Sequence, residues 1–258
     1  MEKVLKPIGF FDSGVGGISV LKEAVKLLPK ENYIYFGDSK NAPYGVKTVE
    51  EVKELTFNAV NFLMDMDVKA VVIACNTATS AAIEDLRSTF QYMPVIGIEP
   101  ALKPAMEYRK NGKIIIMATT MTLAEKKFSN LLKRYHKEAE ILPMPCPGLV
   151  EYIESGVTEG PLVEEYLKEK FKPYMASGVG AVVLGCTHYP FVKHTIQNIL
   201  GNDTPVIDGS SGTASQLKRQ LTKHKILNES NTDGYVKIFN SINEEKIIEL
   251  SYKLLRMP

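Results

Sequence analysis

Short apolar runs alternate with longer amphipathic segments along the whole chain, and the two periods predict alternating strands and helices. Nine runs read as strands: Pro7 to Phe11, Tyr33 to Phe36, Ala70 to Ala74, Val95 to Ile98, Ile114 to Ala118, Ile141 to Met144, Ala181 to Leu184, Val206 to Ile207 and Val236 to Phe239. Most are continuous in Val, Ile and Phe, the pattern of strands in a parallel sheet covered by helices on both faces. Between them, Thr48-Val49-Glu50-Glu51, Thr122-Leu123-Ala124-Glu125 and Ser241-Ile242-Asn243-Glu244 fit the capping box, in which a hydroxyl and a carboxylate reciprocally satisfy helix-end amides. After the first, Val52, Leu55, Ala59 and Phe62 recur at helical spacing and predict a core-facing stripe.

The βα pattern also repeats over a long interval. Ala70-Val71-Val72-Ile73-Ala74-Cys75-Asn76-Thr77 and Ala181-Val182-Val183-Leu184-Gly185-Cys186-Thr187-His188 are matching frames, with the two cysteines 111 residues apart. At a similar offset, Gly9-Phe10-Phe11-Asp12-Ser13 falls on Ile115-Ile116-Met117-Ala118-Thr119. An interval this long is a repeated α/β half, not a solenoid unit. The expected organisation is a first α/β domain of residues 1–97 with 208–258 and a second of residues 98–207, because the last 50 or so residues are too few for a third core.

Composition narrows the class. The chain has 258 residues, 45% apolar and 24% charged, with a net charge of +1. Near-neutrality without like-charge runs gives no electrostatic footprint for nucleic acid, and no apolar stretch approaches the roughly 18 residues of a membrane helix. The start passes directly into a strand-like segment with no signal-peptide pattern. The three cysteines include no CxxC pair, so reduced thiols in a cytoplasm are expected.

In open α/β sheets, ligands bind where loops leave the carboxyl ends of strands. Cys75 and Cys186 both stand at such ends, each before what reads as the first turn of a helix, where unpaired amides and the dipole favour a thiolate. The polar followers Asn76, Thr77, Thr187 and His188 favour function over inert packing. Cys146, between two prolines, reads as a core residue, and His136, His194 and His224 read as surface residues. Zinc-type spacings are absent, so no metal site is expected.

Asp12-Ser13-Gly14-Val15-Gly16-Gly17 follows the first strand, and its glycines let backbone amides approach an anion. Asp12 is either a helix N-cap or a carboxylate aimed at a ligand ammonium. Gly37-Asp38-Ser39-Lys40-Asn41-Ala42-Pro43-Tyr44-Gly45 is dense in turn formers and also leaves a strand's carboxyl end. For Ser210 or Ser211 in Asp208-Gly209-Ser210-Ser211, capping is the simpler reading.

Taken in order, Gly9-Phe10-Phe11-Asp12-Ser13-Gly14-Val15-Gly16-Gly17, Ala42-Pro43-Tyr44-Gly45, Ala74-Cys75-Asn76-Thr77-Ala78 and Leu184-Gly185-Cys186-Thr187-His188-Tyr189-Pro190 closely resemble the glutamate racemase family, within the aspartate/glutamate racemase superfamily. The resemblance implies two similar parallel-sheet α/β domains related by pseudo-twofold symmetry, with the active site in the cleft between them. It implies interconversion of L- and D-glutamate with no pyridoxal phosphate, metal or nucleotide cofactor, supplying D-glutamate for peptidoglycan. Cys75 and Cys186 are then the acid/base pair, assisted by Asp12 and His188 respectively. Asp12, Ser13, Tyr44, Gly45, Asn76, Thr77, Thr187 and His188 bind substrate, and Glu151 is a further carboxylate near the site. A homodimer is implied, with glutamate as the small-molecule substrate and no nucleic-acid or membrane partner. The rival readings are a racemase for aspartate or another amino acid, and a non-catalytic amino-acid-binding regulator.

Overall fold

The computed structural model describes residues 2–124, 135 and 139–257. Its strands are β1 Ile8–Asp12, β2 Tyr33–Gly37, β3 Ala70–Ile73, β4 Val95–Gly97, β5 Lys113–Ala118, β6 Ile141–Pro145, β7 Val179–Leu184, β8 Val206–Asp208 and β9 Val236–Asn240. The chain divides into two compact units, residues 1–99 with 210–258 and residues 100–209. In the first unit the sheet order is β4-β3-β1-β2-β9, and in the second β6-β5-β7-β8. Every pairing is parallel. Read from its other edge, the second sheet runs β8-β7-β5-β6 and repeats β4-β3-β1-β2 strand for strand, with β9 as the first unit's addition.

The central strands are almost wholly apolar because helices cover both faces, with Asp12 at the end of β1 as a buried exception. All five residues of β1 are buried, as are all four of β3 and Gly180 to Leu184 of β7. Each fully buried Val, Ile, Leu or Phe contributes roughly 1.5–3 kcal/mol, so the strands that carry the site residues are also the best anchored. The edge strand β6 is half-exposed and contains Pro143 and Pro145, tolerated because an edge strand has ladder positions whose N–H would find no partner.

Glycines mark where helices close on strands. A Cβ on Gly17 would lie 2.6 Å from Asp12 Cβ and 2.9 Å from Ala74 Cβ, so only hydrogen fits where the helix Ile18–Leu27 leaves the β1 loop. The capping box at Thr48 is present: Thr48 Oγ1 accepts from Glu51 N while a Glu51 carboxylate oxygen accepts from Thr48 N.

The other two expected boxes are corrected. The last helix begins at Glu245 with Glu244 at its N-cap and no side-chain cap. Asn243 sits at φ 55°, outside helical space, and Ser241 Oγ accepts from Lys40 N instead. Near Thr122 the cap is Thr119, whose Oγ1 accepts from Thr122 N; Thr122 is inside the helix Thr120–Ala124, and Glu125 lies outside the described residues, as does His136.

Candidate active site

Cys75 follows β3 and is the N-cap of the 14-residue helix Asn76–Thr89. Its Sγ accepts from Ala78 N at 3.4 Å and lies 3.5 Å from Ser13 Oγ. A backbone amide, a neighbouring hydroxyl and the positive end of a helix therefore converge on one sulfur, an arrangement that suits its anionic form. Thr77 is buried in the same turn, and Asn76 is 5% exposed with no hydrogen-bond partner to its Oδ1 among the described residues. An orphaned buried carbonyl oxygen costs about 1–3 kcal/mol, and an ammonium or N–H of a ligand is the group that would satisfy it.

Asp12 closes β1, the neighbour of β3, and is fully buried. Its Oδ1 accepts from Gly14 N at 3.0 Å, so Asp12 shapes the glycine loop by a local turn. The cap of the next helix is Gly17, not Asp12. Tyr35 reinforces the same loop by donating its hydroxyl to Gly14 O at 2.7 Å.

The loop after β2 folds around Asp38, a residue the sequence reading quoted without assigning a role. Asp38 N donates to Asp12 O, and its carboxylate accepts from Asn41 Nδ2 at 3.0 and 2.9 Å and from Tyr44 Oη at 2.8 Å. Tyr44 is 1% exposed, and burial, reinforced by Asp38, pushes its pKa far above the ordinary tyrosine value. The hydroxyl is thus a fixed donor to Asp38.

In the second unit, Gly185 N donates to Met117 O at 2.7 Å, tying the end of β7 to β5. Cys186, Thr187 and His188 follow, all buried. Cys186 is followed by a turn and not by the first turn of an α-helix that the sequence suggests. The next element is the 3-10 turn Tyr189–Val192, and the Tyr189 amide, three residues on, donates to the backbone oxygen of Cys186 at 3.1 Å. Support for the sulfur comes from His188, whose Nδ1 lies 3.6 Å from Cys186 Sγ.

The other ring nitrogen, Nε2, is 2.6 Å from Glu154 Oε1. Burial opposes charge on His188, but hydrogen bonds and negative charge from Cys186 and Glu154 outweigh it and hold its pKa well above the ordinary value. The imidazolium is the favoured form, placed against the sulfur.

The carboxylate that meets His188 is Glu154 and not Glu151. Both lie on the helix Leu149–Glu154, but Glu151 is exposed in its first turn. The signal in the sequence was a second carboxylate three residues on, one helical turn along the same face. Cys146 is a core thiol: burial, partly offset by Lys170, pushes its pKa up to about 12, and its Sγ donates to Met144 O at 3.5 Å. His194 and His224 are exposed.

Each unit thus presents one thiol at the carboxyl end of an interior strand, beside its own polar partners. Residues 12–217 match the Asp/Glu/Hydantoin racemase family. The chain is 63% identical to the glutamate racemase of Clostridium kluyveri over 257 residues, covering 99% of this chain and 100% of that protein. Among solved structures it is similar to the Francisella tularensis glutamate racemase in complex with D-glutamate, at 30% identity and a TM-score of 0.83, covering 98% of this chain and 95% of that one. It is also similar to the Escherichia coli glutamate racemase in complex with L-glutamate and the activator UDP-MurNAc-Ala, at 28% identity and a TM-score of 0.85, covering 97% and 94%.

Proposed function

The chain belongs to the Asp/Glu/Hydantoin racemase family, and within it to the glutamate racemases, and we propose that Cys75 and Cys186 are its two acid/base groups, acting on opposite faces of one glutamate Cα. The observation that carries this reading is the pair of thiols at equivalent strand ends, each with a different charge-stabilising partner. Interconversion of L- and D-glutamate is an isomerisation: one proton leaves Cα and another arrives, and nothing else changes.

In one direction a thiolate removes the proton while the opposite thiol delivers one; in the reverse direction the two exchange roles. General-base action near neutral pH needs a thiol poised to ionise. At Cys75 the Ala78 amide, the helix dipole and the Ser13 hydroxyl supply this. At Cys186 the neighbour is His188, 3.6 Å from the sulfur and held by Glu154. The Asn76 carbonyl oxygen accepts from the substrate ammonium. Ser13, Thr77 and Thr187, with backbone amides of Tyr44 and Gly45, hold the α-carboxylate, where negative charge accumulates as Cα loses its proton. Asp12 orders the glycine loop beside Cys75. The product D-glutamate serves peptidoglycan synthesis, the setting is the cytoplasm, and the working form is a homodimer.

The test is racemisation of glutamate by purified protein without added cofactor, followed by circular dichroism. Cys75→Ala and Cys186→Ala are each expected to lower kcat by about a thousandfold or more while the fold persists. In deuterated solvent, each variant should also lose Cα exchange from a different enantiomer first. Undiminished turnover in either variant sinks the two-thiol reading. Glutamate binding without any Cα exchange in the wild type would mark a binding protein instead, and a panel of amino acids including aspartate sets the selectivity.

A further inference from the structure

The end of β9 lies two strands from β1 and holds no residue that the sequence marks as functional, yet it grips the loop that carries Tyr44 and Gly45. In register, Asn240 stands opposite Gly37, the last residue of β2. Asn240 is 7% exposed, and both ends of its side-chain amide are used. Its Nδ2 donates to Ser39 Oγ at 2.9 Å, and its Oδ1 accepts from Ile242 N at 3.0 Å. The next residue adds two bonds: Ser241 N donates to Gly37 O at 2.9 Å, and Ser241 Oγ accepts from Lys40 N at 3.0 Å.

These contacts take hold of Gly37, Ser39 and Lys40, and thus bracket Asp38. Asp38 in turn holds Asn41 and the Tyr44 hydroxyl. A hydrogen-bonded path therefore runs from the carboxyl end of β9 through the 3-10 turn Ser39–Asn41 to the Tyr44–Gly45 backbone. Gly37 records how closely the parts fit, since a Cβ there would be 2.5 Å from Gly14 O and 3.0 Å from Asn240 Nδ2. The residues that cap β9 also hold it still: Asn243 N donates to Asn240 O at 3.0 Å, so the strand end is closed by its own turn.

We infer that Asn240, with Ser241, is a positioning residue for substrate binding: it fixes the Ser39–Gly45 loop from outside without touching the ligand. The inference rests on the reading that the Tyr44 and Gly45 backbone meets the substrate carboxylate. It assigns the returning strand β9 a role in substrate binding besides closing the sheet. The effect falls on binding, because the hydrogen bonds of the two residues go to Gly37, Ser39, Lys40, Ile242 and Asn243. Loss of the grip lets the loop sample conformations in which its amides miss the carboxylate, which raises KM more than it lowers kcat.

The test uses the full chain with Asn240→Ala, Ser241→Ala, the double variant, and Asn240→Ala combined with Ser39→Ala. Removing one such hydrogen bond is expected to raise KM for both glutamate enantiomers about fivefold, with kcat within about twofold. The Asn240 and Ser39 substitutions should be non-additive, since they break the same bond. Hydrogen–deuterium exchange is expected to accelerate in residues 38–46 while residues 74–78 keep wild-type protection. Unchanged loop protection in the double variant overturns the inference. So does a loosened loop with wild-type KM, or a fall in kcat and in melting temperature with no change in KM. If the wild type fails to racemise glutamate, the functional reading falls separately, and the Kd for glutamate in the same variants then decides the positioning role.

Discussion

His188 bridges a sulfur and a carboxylate through its two ring nitrogens, and its raised pKa makes that bridge dependent on pH. A histidine whose folded pKa lies above its unfolded value near 6.5 adds stability that is fully present below the unfolded value and lost as pH rises through the folded one. Glu154→Gln keeps the shape of the contact but removes its negative charge, so the His188 pKa should fall. We expect kcat to drop about tenfold or more. The stability difference from wild type should be largest between the carboxylate range and the unfolded histidine value, and close as pH rises through the raised pKa. Nitrogen-15 titration of His188 and urea midpoints across pH check both parts; a His188 pKa unmoved by the substitution refutes the assignment of its cause. Asn76 makes the opposite kind of prediction. Its Oδ1 is buried and unpartnered among the described residues, so Asn76→Ala should leave the melting temperature unchanged or higher while raising KM about tenfold. A large loss of stability would mean that the side chain supports the fold and not the ligand.

Elements differ in how plainly the sequence announces them. The nine strands were legible because continuous Val and Ile runs suit sheets covered on both faces, and the βα repeat implied their parallel pairing but not their order in space. Helix starts were less legible, because capping is decided by backbone angles that neighbouring contacts impose. Thr48 forms its box, whereas Ser241 does not, since Asn243 turns left-handed and Lys40 recruits the serine hydroxyl. The thiols were found from their frames. Glu154 was missed because choosing between two carboxylates on one short helix requires knowing which face meets His188, a tertiary fact. Close approach of elements gives a paired prediction. Gly17→Ala forces a Cβ to within 2.6 Å of Asp12 Cβ, so it should cost roughly 1–3 kcal/mol as overpacking and disturb the Asp12 loop. Gly212, in the helix Ser210–Lys223, has nothing within 4 Å of its Cβ position. Gly212→Ala should therefore stabilise by about 0.5–1 kcal/mol through helix propensity. Thermal denaturation of both variants, with KM as a second readout for Gly17→Ala, distinguishes local crowding from a general intolerance of change.

At the scale of the whole molecule, the first unit is assembled from two distant pieces of chain, and the returning piece closes over a buried ion pair that lies within the first. Lys69 Nζ lies 2.5 Å from Glu31 Oε2, with side chains 0% and 1% exposed. Lys69 also donates to the carbonyls of Val4 and Ile226, while Glu31 Oε1 accepts from Asn228 N at 2.8 Å. Burial lowers the Lys69 pKa, and Glu31 counters that shift, so each charge depends on the other and on carbonyls or amides from residues 226–228. The same returning segment donates Gly234 N to Pro29 O and accepts at Tyr235 O from Tyr33 N. It packs so tightly that a Cβ on Gly234 would overlap Glu31 O at 1.8 Å. Removing one partner of a buried pair costs about 3–5 kcal/mol because the other charge is stranded, whereas an apolar replacement of both is often neutral. Lys69→Met and Glu31→Leu should each destabilise strongly, and the double variant should recover most of the loss. A chain ended at residue 209 strands the pair differently, since it deletes β9 and the Ile226 and Asn228 contacts but leaves residues 100–209 whole. Hydrogen exchange should then show loss of protection in β1 and β2 with β5 and β7 still protected, because the sheet of the second unit contains no residue beyond 208. Equal loss in both sheets would mean that the two units fold as a single cooperative body.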